Sequence, residues 1–154
     1  MSHVFAPNIL SMISDQNPRV RNMALTATER IHRQGFVLPG NLVAPLIAAT
    51  TDSHYEIARK TQILLGKVKK ADSTYVSTKM MDGVKLSYGH QLKIKHNDPS
   101  SVVGYKVVSK QNHKESLLNF CFKMLSDKSK IKYHFLVYLV QFWEFLPVHL
   151  YNRV

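Results

Sequence analysis

Two consecutive stretches of this sequence carry the same order of features, and this internal repetition is what most restricts the fold. In the first stretch, Pro7 stands among apolar residues, Asp15 marks a turn, and a second apolar stripe follows. The second stretch has the same order around Pro45 and Asp52. The two units are separated by about the length expected of a repeat built from two helices. We therefore predict two helix hairpins that cover each other's apolar faces, because one hairpin cannot bury its own.

The first unit also carries signals for where its helices start and stop. Apolar residues recur at helical spacing in residues 5–14, and Asn17 can cap the next helix. Pro18 suits the first turn of that helix, where a missing N–H costs nothing. An apolar stripe then follows at intervals of three or four, at Val20, Ala24, Ala27 and Ile31. Gly35 stands where a left-handed C-terminal cap would end the helix.

The second unit repeats this pattern. Residues 41–50 form a short apolar segment, and residues 52–54 supply turn chemistry. A second stripe then follows at Ile57, Thr61, Leu64, Leu65 and Val68.

Acidic and basic residues occupy corresponding places in the two units. The spacing matches that of HEAT repeats, with the motif residues Pro7, Asp15, Arg21, Gly35, Pro39, Pro45, Asp52 and Arg59. The aspartate can accept bonds from the free N–H groups at the start of the second helix, and the arginine can reach the equivalent aspartate of the adjoining repeat. Accidental spacing of common surface charges is the alternative interpretation.

Beyond residue 70 the pattern is less regular. Asp72 or Ser73 can cap a helix that we expect to end at Asp82 and Gly83. Residues 84–95 alternate in polarity, which taken alone favours a strand, so helix and strand both remain open there. Residues 115–125 are predicted to be helical, with Leu117, Leu118, Cys121, Phe122 and Leu125 on one face.

A long final helix follows residues 127–129, with Ile131, Phe135, Tyr138, Phe142 and Phe145 in one stripe. The apolar run at residues 135–148 is interrupted and too short to cross a bilayer, so we interpret it as part of a core helix. The predicted fold is all-α, a HEAT-like α-solenoid of antiparallel helix hairpins. It forms a single domain, with two helix pairs in residues 1–70 and further hairpins in residues 71–154.

Positive charge is concentrated in one region of the chain. The sequence has 21 Lys and Arg residues against 10 Asp and Glu, and every lysine lies between Lys60 and Lys132. Such a region suits a polyanionic partner, and lysines near helix ends can contact duplex DNA phosphates without reading bases. The candidate DNA-binding residues are Lys67, Lys69, Lys70, Lys93, Lys95, Lys128, Lys130 and Lys132. An ordinary solvated lysine face, or favourable interaction with helix dipoles, is the alternative.

The sequence carries no motif typical of a catalytic or cofactor-binding site. The 6 glycines form no phosphate-binding loop, and the 8 histidines lack the spacing of a zinc site. Cys121 lies among apolar residues, which is typical of a small core residue, and a lone cysteine favours a reducing compartment. We expect no enzyme activity, no cofactor, no metal, no small-molecule substrate and no membrane partner.

Three segments resemble the C-terminal HEAT-repeat region of the Nipped-B/adherin family of cohesin loaders. They are residues 33–39 (RQGFVLP), 45–52 (PLIAATTD) and 81–88 (MDGVKLSY), and the similarity is most specific over residues 5–92. Phe36 departs from the leucine usual in the family. The resemblance implies a nuclear, chromatin-bound module that binds cohesin subunits and double-stranded DNA without sequence preference. It also implies a role in cohesin loading and sister chromatid cohesion. A protein-interaction scaffold or a truncated paralogue without loader activity is the alternative, and a fragment, a short paralogue and a truncated product all remain open.

Overall fold

In the computed structural model, residues 2–107, 114–125 and 129–141 are described. The helices are α1 (Ser2–Ser11), α2 (Pro18–Arg33), α3 (Pro39–Ala49), α4 (Tyr55–Ala71), α5 (Ser73–Ile94), α6 (Asn119–Met124) and α7 (Ser129–Gln141). Short 3-10 turns span Met12–Ser14 and Pro99–Ser101, and strands β1 (Tyr105–Val107) and β2 (Lys114–Ser116) pair in an antiparallel hairpin. The all-α fold class is confirmed, and the small β-hairpin is an addition that the sequence did not predict.

The two predicted helix hairpins are present in sequence order. Helix α1 packs against α2, α3 packs against α4, and α2 contacts α4 across the two pairs. The side chain of Asn17 caps α2 by accepting a 2.9 Å hydrogen bond from the Arg19 N–H, and Pro18 is the first residue of the helix. Gly35 follows α2 with a φ of 75°. The caps that the sequence predicted are therefore confirmed.

Helix α5 runs through the point where we expected a helix to end. Asp72 caps it by accepting a 2.8 Å hydrogen bond from the Thr74 N–H, as predicted, but the helix continues past Gly83 to Ile94. Gly83 is buried against α3, and a Cβ atom built on it would lie 2.6 Å from Cγ2 of Ile47. The glycine therefore allows two helices to approach closely, and its interpretation as a helix stop is wrong.

The open question over residues 84–95 is settled as helix up to Ile94. The buried residues recur at helical spacing, at Val84, Ser87, His90, Gln91 and Ile94. The apparent alternation arose because polar residues occupy part of the buried face.

The core is centred on α3, which packs against both α4 and α5. All five residues of the predicted α4 stripe are buried, from Ile57 to Val68. In α2 the predicted stripe is only partly right, because Ala24 is buried while Val20, Ala27 and Ile31 are half-buried. The other buried residues of α2 are Arg21, Leu25 and Thr28.

The segment after α5 differs most from expectation. Residues 115 and 116 belong to β2, and only residues 119–124 form a helix, so the helix predicted over residues 115–125 is too long. The strand pairing explains this, since the N–H of Leu117 bonds to the Gly104 carbonyl at 3.0 Å at the end of the ladder.

Helices α6 and α7 add to the same hydrophobic core. Cys121 and Phe135 are buried in it, and the Phe122 and Phe135 rings lie 6.3 Å apart. The side chain of Tyr138, and all of Phe142 and Phe145, lie outside the described residues. The proposed division of the chain at residue 70 stays a prediction. Among the helices described, none combines the length and apolar character needed to cross a membrane.

Candidate functional site: a buried polar network and a basic cleft

The arginine of the first repeat unit is buried against the aspartate of the second. Arg21 lies on α2 and is 1% exposed, and its Nε and Nη2 donate to the two carboxylate oxygens of Asp52 at 2.7 and 3.0 Å. Its Nη1 donates to the carbonyls of Asp15 and Gln16, and Nη2 also lies 3.1 Å from Nδ1 of His54. All five guanidinium donors therefore have a partner, which is what a buried arginine requires.

A third element reaches the same carboxylate. His90 on α5 is buried, with Nε2 3.4 Å from Oδ2 of Asp52 and Nδ1 2.8 Å from the Ser14 hydroxyl. The 3.4 Å contact is too long for a well-formed hydrogen bond and acts mainly through electrostatics. The network therefore joins α2, the turn between α3 and α4, and α5.

The environment of Asp52 keeps it ionised. Burial alone raises the pKa of this carboxyl, but His90, Arg21 and the backbone N–H of His54 together outweigh burial, so the pKa lies below its usual range. The N–H of His54 donates to Oδ1 at 2.8 Å, so Asp52 also organises the turn before α4. These contacts make Asp52 a structural anion, since its oxygens are engaged by groups of the chain itself.

The remaining residues of the repeat motif differ in the contacts they make. Asp15 accepts a 2.7 Å hydrogen bond from the N–H of Asn17, so it organises the turn before α2 as Asp52 does before α4. Pro7 lies inside α1, Pro45 lies inside α3, and Pro39 begins α3. Arg59, the counterpart of Arg21, is exposed on α4, and no carboxylate of the described residues lies within ion-pair distance of it.

The candidate lysines are placed in three groups. Lys67, Lys69 and Lys70 lie in the last turns of α4, and Lys93 and Lys95 lie at the end of α5. Lys130 and Lys132 lie in the first turns of α7, and Lys128 is outside the described residues. Helix α5 begins directly after α4 and has 22 residues, so the first two groups are about 33 Å apart along it. The structure therefore does not unite these lysines in a single patch.

A lysine of the α4 group and a lysine of the α7 group both contact α6. The Nζ of Lys69 donates to the carbonyl of Met124, and the Nζ of Lys132 lies 5.4 Å from the centre of the Phe122 ring. Lys67 forms a 2.6 Å ion pair with Glu29, and that bond lowers the pKa of the Glu29 carboxyl. Several candidate lysines therefore serve contacts within the chain.

A basic cleft lies between α4, the end of α5, and the segment containing the β-hairpin and α6. Its volume is about 800 Å³, and its cationic lining residues are Arg59, Lys95, Lys106 and Lys123. Lys106 is paired with Glu115 at 3.3 Å, and Asp52 is neutralised by Arg21. Asn119 donates a hydrogen bond to Glu115, which lowers the pKa of that carboxyl. The cleft thus carries a net positive charge.

Groups for catalysis or metal binding are scarce in the part of the chain that the structure covers. Burial raises the pKa of the Cys121 thiol to about 11, although the Thr50 hydroxyl, 3.7 Å from its sulfur, acts in the opposite direction. Within residues 2–107, 114–125 and 129–141, no group of three metal-ligating side chains converges.

Sequence reasoning identified Lys95 and Arg59 but missed most of this cleft. Gln91, Tyr105 and Lys123 gave no local signal, because the elements that carry them are separated along the chain and meet only on folding. No signal in the sequence singles out His90 from the other histidines, because only the helical register of α5 places it on the buried face beside Asp52.

Comparison with known proteins gives the family. Residues 1–152 match the model of the family described as "Sister chromatid cohesion C-terminus" (Nipped-B_C). The chain belongs to this family. The resemblance inferred from residues 33–39, 45–52 and 81–88 is therefore confirmed, and it extends over nearly the whole sequence.

Two curated relatives agree with this assignment. The chain is 34% identical over 87 residues to the Nipped-B-like protein scc-2 of Caenorhabditis elegans, a match covering 56% of this chain and 4% of the relative. It is 27% identical over 125 residues to the Nipped-B protein of Drosophila melanogaster, covering 79% of this chain and 6% of the relative. The chain therefore spans a small part of the length of these relatives. No solved structure gives a significant match.

Proposed function

We propose that this member of the Nipped-B C-terminal family is a non-catalytic helical module that binds cohesin subunits and double-stranded DNA. It acts on chromatin in the nucleus and supports cohesin loading and sister chromatid cohesion. The observation that carries this proposal is the family match over residues 1–152, whose description names sister chromatid cohesion. The large positive charge of the sequence supports the DNA-binding part.

The lysines best placed for DNA are those without an internal role. Lys70, Lys93 and Lys130 are exposed, and none has a hydrogen bond or ion pair with another described residue. Lys67 and Lys69 are less available because Glu29 and the Met124 carbonyl already engage them. Backbone contact by such separated lysines is independent of base sequence and sensitive to salt.

The absence of catalysis is supported by the state of the reactive groups. Cys121 is fully buried with a raised pKa, so its thiolate is scarce near neutral pH. Asp52, the most buried carboxylate of the described residues, is engaged by Arg21 and by the turn that precedes α4. Both groups therefore have structural explanations.

DNA binding is tested by fluorescence anisotropy with a labelled duplex over a range of salt concentrations. We expect Lys70→Glu and Lys93→Glu to weaken binding and each to reduce the slope of log K against log salt by about 0.9, the value for one phosphate contact. Lys79→Glu is the matched control, because it changes the net charge equally while Lys79 already pairs with Asp82 at 3.4 Å. Equal effects at all three positions would show that DNA binding depends only on the net charge of the chain and not on these particular lysines.

Cohesin binding is tested by recovering the tagged chain from nuclei at moderate salt and probing for cohesin subunits. We expect cohesin subunits to be recovered with the chain. Failure to recover them, together with negligible duplex affinity, would refute the proposed function.

A second candidate is a protein-interaction scaffold without loader activity. It is favoured by the engagement of Lys67 and Lys69 in internal contacts and by the cleft beside Arg59. This function predicts cohesin recovery that survives high salt while the affinity for duplex DNA is negligible.

A further inference from the structure

The basic cleft contains a buried hydrogen-bond donor that has no acceptor. Gln91 on α5 is 2% exposed and lines the cleft, and its Nε2 makes no hydrogen bond to any described residue. A buried amide without a partner is unfavourable by roughly 1–3 kcal/mol, so native structures rarely keep one unless a ligand or water completes it. Because Gln91 lines the cleft, an oxygen of a bound ligand would complete this amide if the side chain turned towards it.

The charges beside this amide specify the sign of the ligand. Arg59 on α4 and Lys95 at the end of α5 line the same cleft, and neither has a carboxylate partner within the described part of the chain. The cleft's carboxylates give no compensation, since Asp52 pairs with Arg21 and Glu115 pairs with Lys106. Among the described residues, an anionic group entering the cleft would meet three cations without an ion pair, Arg59, Lys95 and Lys123, and one neutral donor.

The remaining lining adds apolar surface to these polar groups. Tyr55, Tyr105 and Phe120 contribute aromatic side chains, and Ala58 and Leu117 add aliphatic ones. A mixture of apolar surface with a few polar groups is typical of sites that bind small ligands or short peptide segments. The volume of about 800 Å³ accommodates a few residues, and it is too small for a DNA duplex, whose charge lies on a broad convex surface.

We propose that this cleft binds an extended anionic peptide segment of a partner protein. A carboxylate or phosphate of the peptide contacts Arg59 and Lys95, an oxygen accepts the Gln91 amide hydrogen bond, and apolar side chains pack on the aromatic residues. Arginine beside a neutral donor suits both carboxylate and phosphate. This interaction goes beyond the proposed function, since it requires neither DNA nor cohesin.

The test measures binding of three fluorescein-labelled peptides to the full chain by anisotropy. One peptide alternates glutamate with leucine, the second replaces glutamate by phosphoserine, and the third replaces it by glutamine. We expect both anionic peptides to bind at least about ten-fold more tightly than the neutral one, as expected for charge-assisted hydrogen bonds. The anionic peptide that binds more tightly shows whether the partner's segment carries carboxylates or phosphates. Equal affinity of all three peptides would overturn the assignment.

Variants separate the cleft from general attraction by a basic protein. We expect Arg59→Gln and Lys95→Gln each to weaken the preferred peptide about ten-fold. Lys70→Gln, which removes the same charge outside the cleft, should leave peptide affinity unchanged. Loss of peptide binding in Lys70→Gln as large as in Arg59→Gln would overturn the assignment. Duplex DNA binding is measured in a separate assay, so a negative result for peptide binding can be distinguished from a negative result for DNA binding.

Gln91→Leu supplies an independent readout. If the amide is unpaired in the free chain, leucine removes an unsatisfied donor, so the melting temperature is unchanged or higher while peptide affinity falls about ten-fold. A lower melting temperature would mean that the amide already has a partner within the chain. Either that result or unchanged peptide affinity would contradict the proposed site.

Discussion

The close crossing of α3 and α5 at Gly83 gives a prediction in which the usual effect of a substitution changes sign. Replacing glycine by alanine inside a helix normally stabilises it by about 0.8–1.0 kcal/mol. At Gly83 the added Cβ would lie 2.6 Å from Cγ2 and 3.0 Å from Cδ1 of Ile47. Carbon atoms in contact are ordinarily about 3.5–4.0 Å apart, so the helices must separate or Ile47 must leave its position.

The expected magnitude follows from two opposing terms. Overpacking in a core costs about 1–3 kcal/mol, and the upper end applies because Cβ of Ile47, which cannot rotate away, is among the atoms met. Subtracting the gain in helix propensity, about 1 kcal/mol, leaves a net destabilisation of about 2 kcal/mol. For a chain of this length we expect Gly83→Ala to lower the melting temperature by about 4–8 °C.

Gly89→Ala is the matched control, because it lies on the same helix with no atom within 4 Å of the added Cβ. We expect it to raise the melting temperature by about 2–4 °C. Both variants are measured by calorimetry and urea unfolding. In a double-mutant cycle, Ile47→Ala should cost less in the Gly83→Ala background than in the wild type. A melting temperature of Gly83→Ala at or above that of the wild type would refute the close crossing.

Three further predictions concern buried polar groups. Arg21→Met leaves the Asp52 carboxylate buried without its main partner, so urea unfolding should show a loss of about 3–5 kcal/mol in the free energy of unfolding. The additional change Asp52→Leu should largely restore it. A loss below about 1 kcal/mol would contradict the burial of the pair. The pKa of Asp52 is lower in the folded than in the unfolded chain, so its contribution is complete above the ordinary value of 3.8 and disappears as pH falls below it. Acid urea titrations should therefore show a steeper stability loss in the wild type than in Asp52→Asn, and equal slopes would count against this. Cys121 should react with a thiol reagent near neutral pH only as fast as the chain unfolds, and rapid native labelling would disprove its burial.

Local sequence chemistry predicted the first half of the fold well. The Asn17 and Asp72 caps act through hydrogen bonds between neighbouring residues, so the sequence contains all the information they need. The pairing of Arg21 with Asp52 was also predictable, because the internal repeat gave the register between the two units. The same register did not extend to Arg59, which faces the cleft.

The errors have one physical origin, which is that tertiary contacts decide between locally similar signals. The Asp-Gly pair ending at Gly83 is typical of a helix stop. Gly83 instead allows α5 to approach Ile47 closely, which no local pattern reveals. The β-hairpin depends on pairing between Tyr105 and Ser116, whose local preferences do not specify the partner. The cleft likewise depends on residues brought together from α4, α5 and α6.

The guanidinium of Arg21 also has a mechanical consequence. Hydrogen bonds weaken steeply with distance and angle, so they add a directional resistance to that of the close-packed apolar contacts. Two hydrogen bonds to Asp52 and one contact with His54 cross the joint between the first two hairpins, the other two tie the guanidinium to the turn of its own hairpin, and His90 approaches Asp52 from α5. This joint therefore resists shear, so residues from α2 to α5 transmit a pull or a twist as one stiff unit.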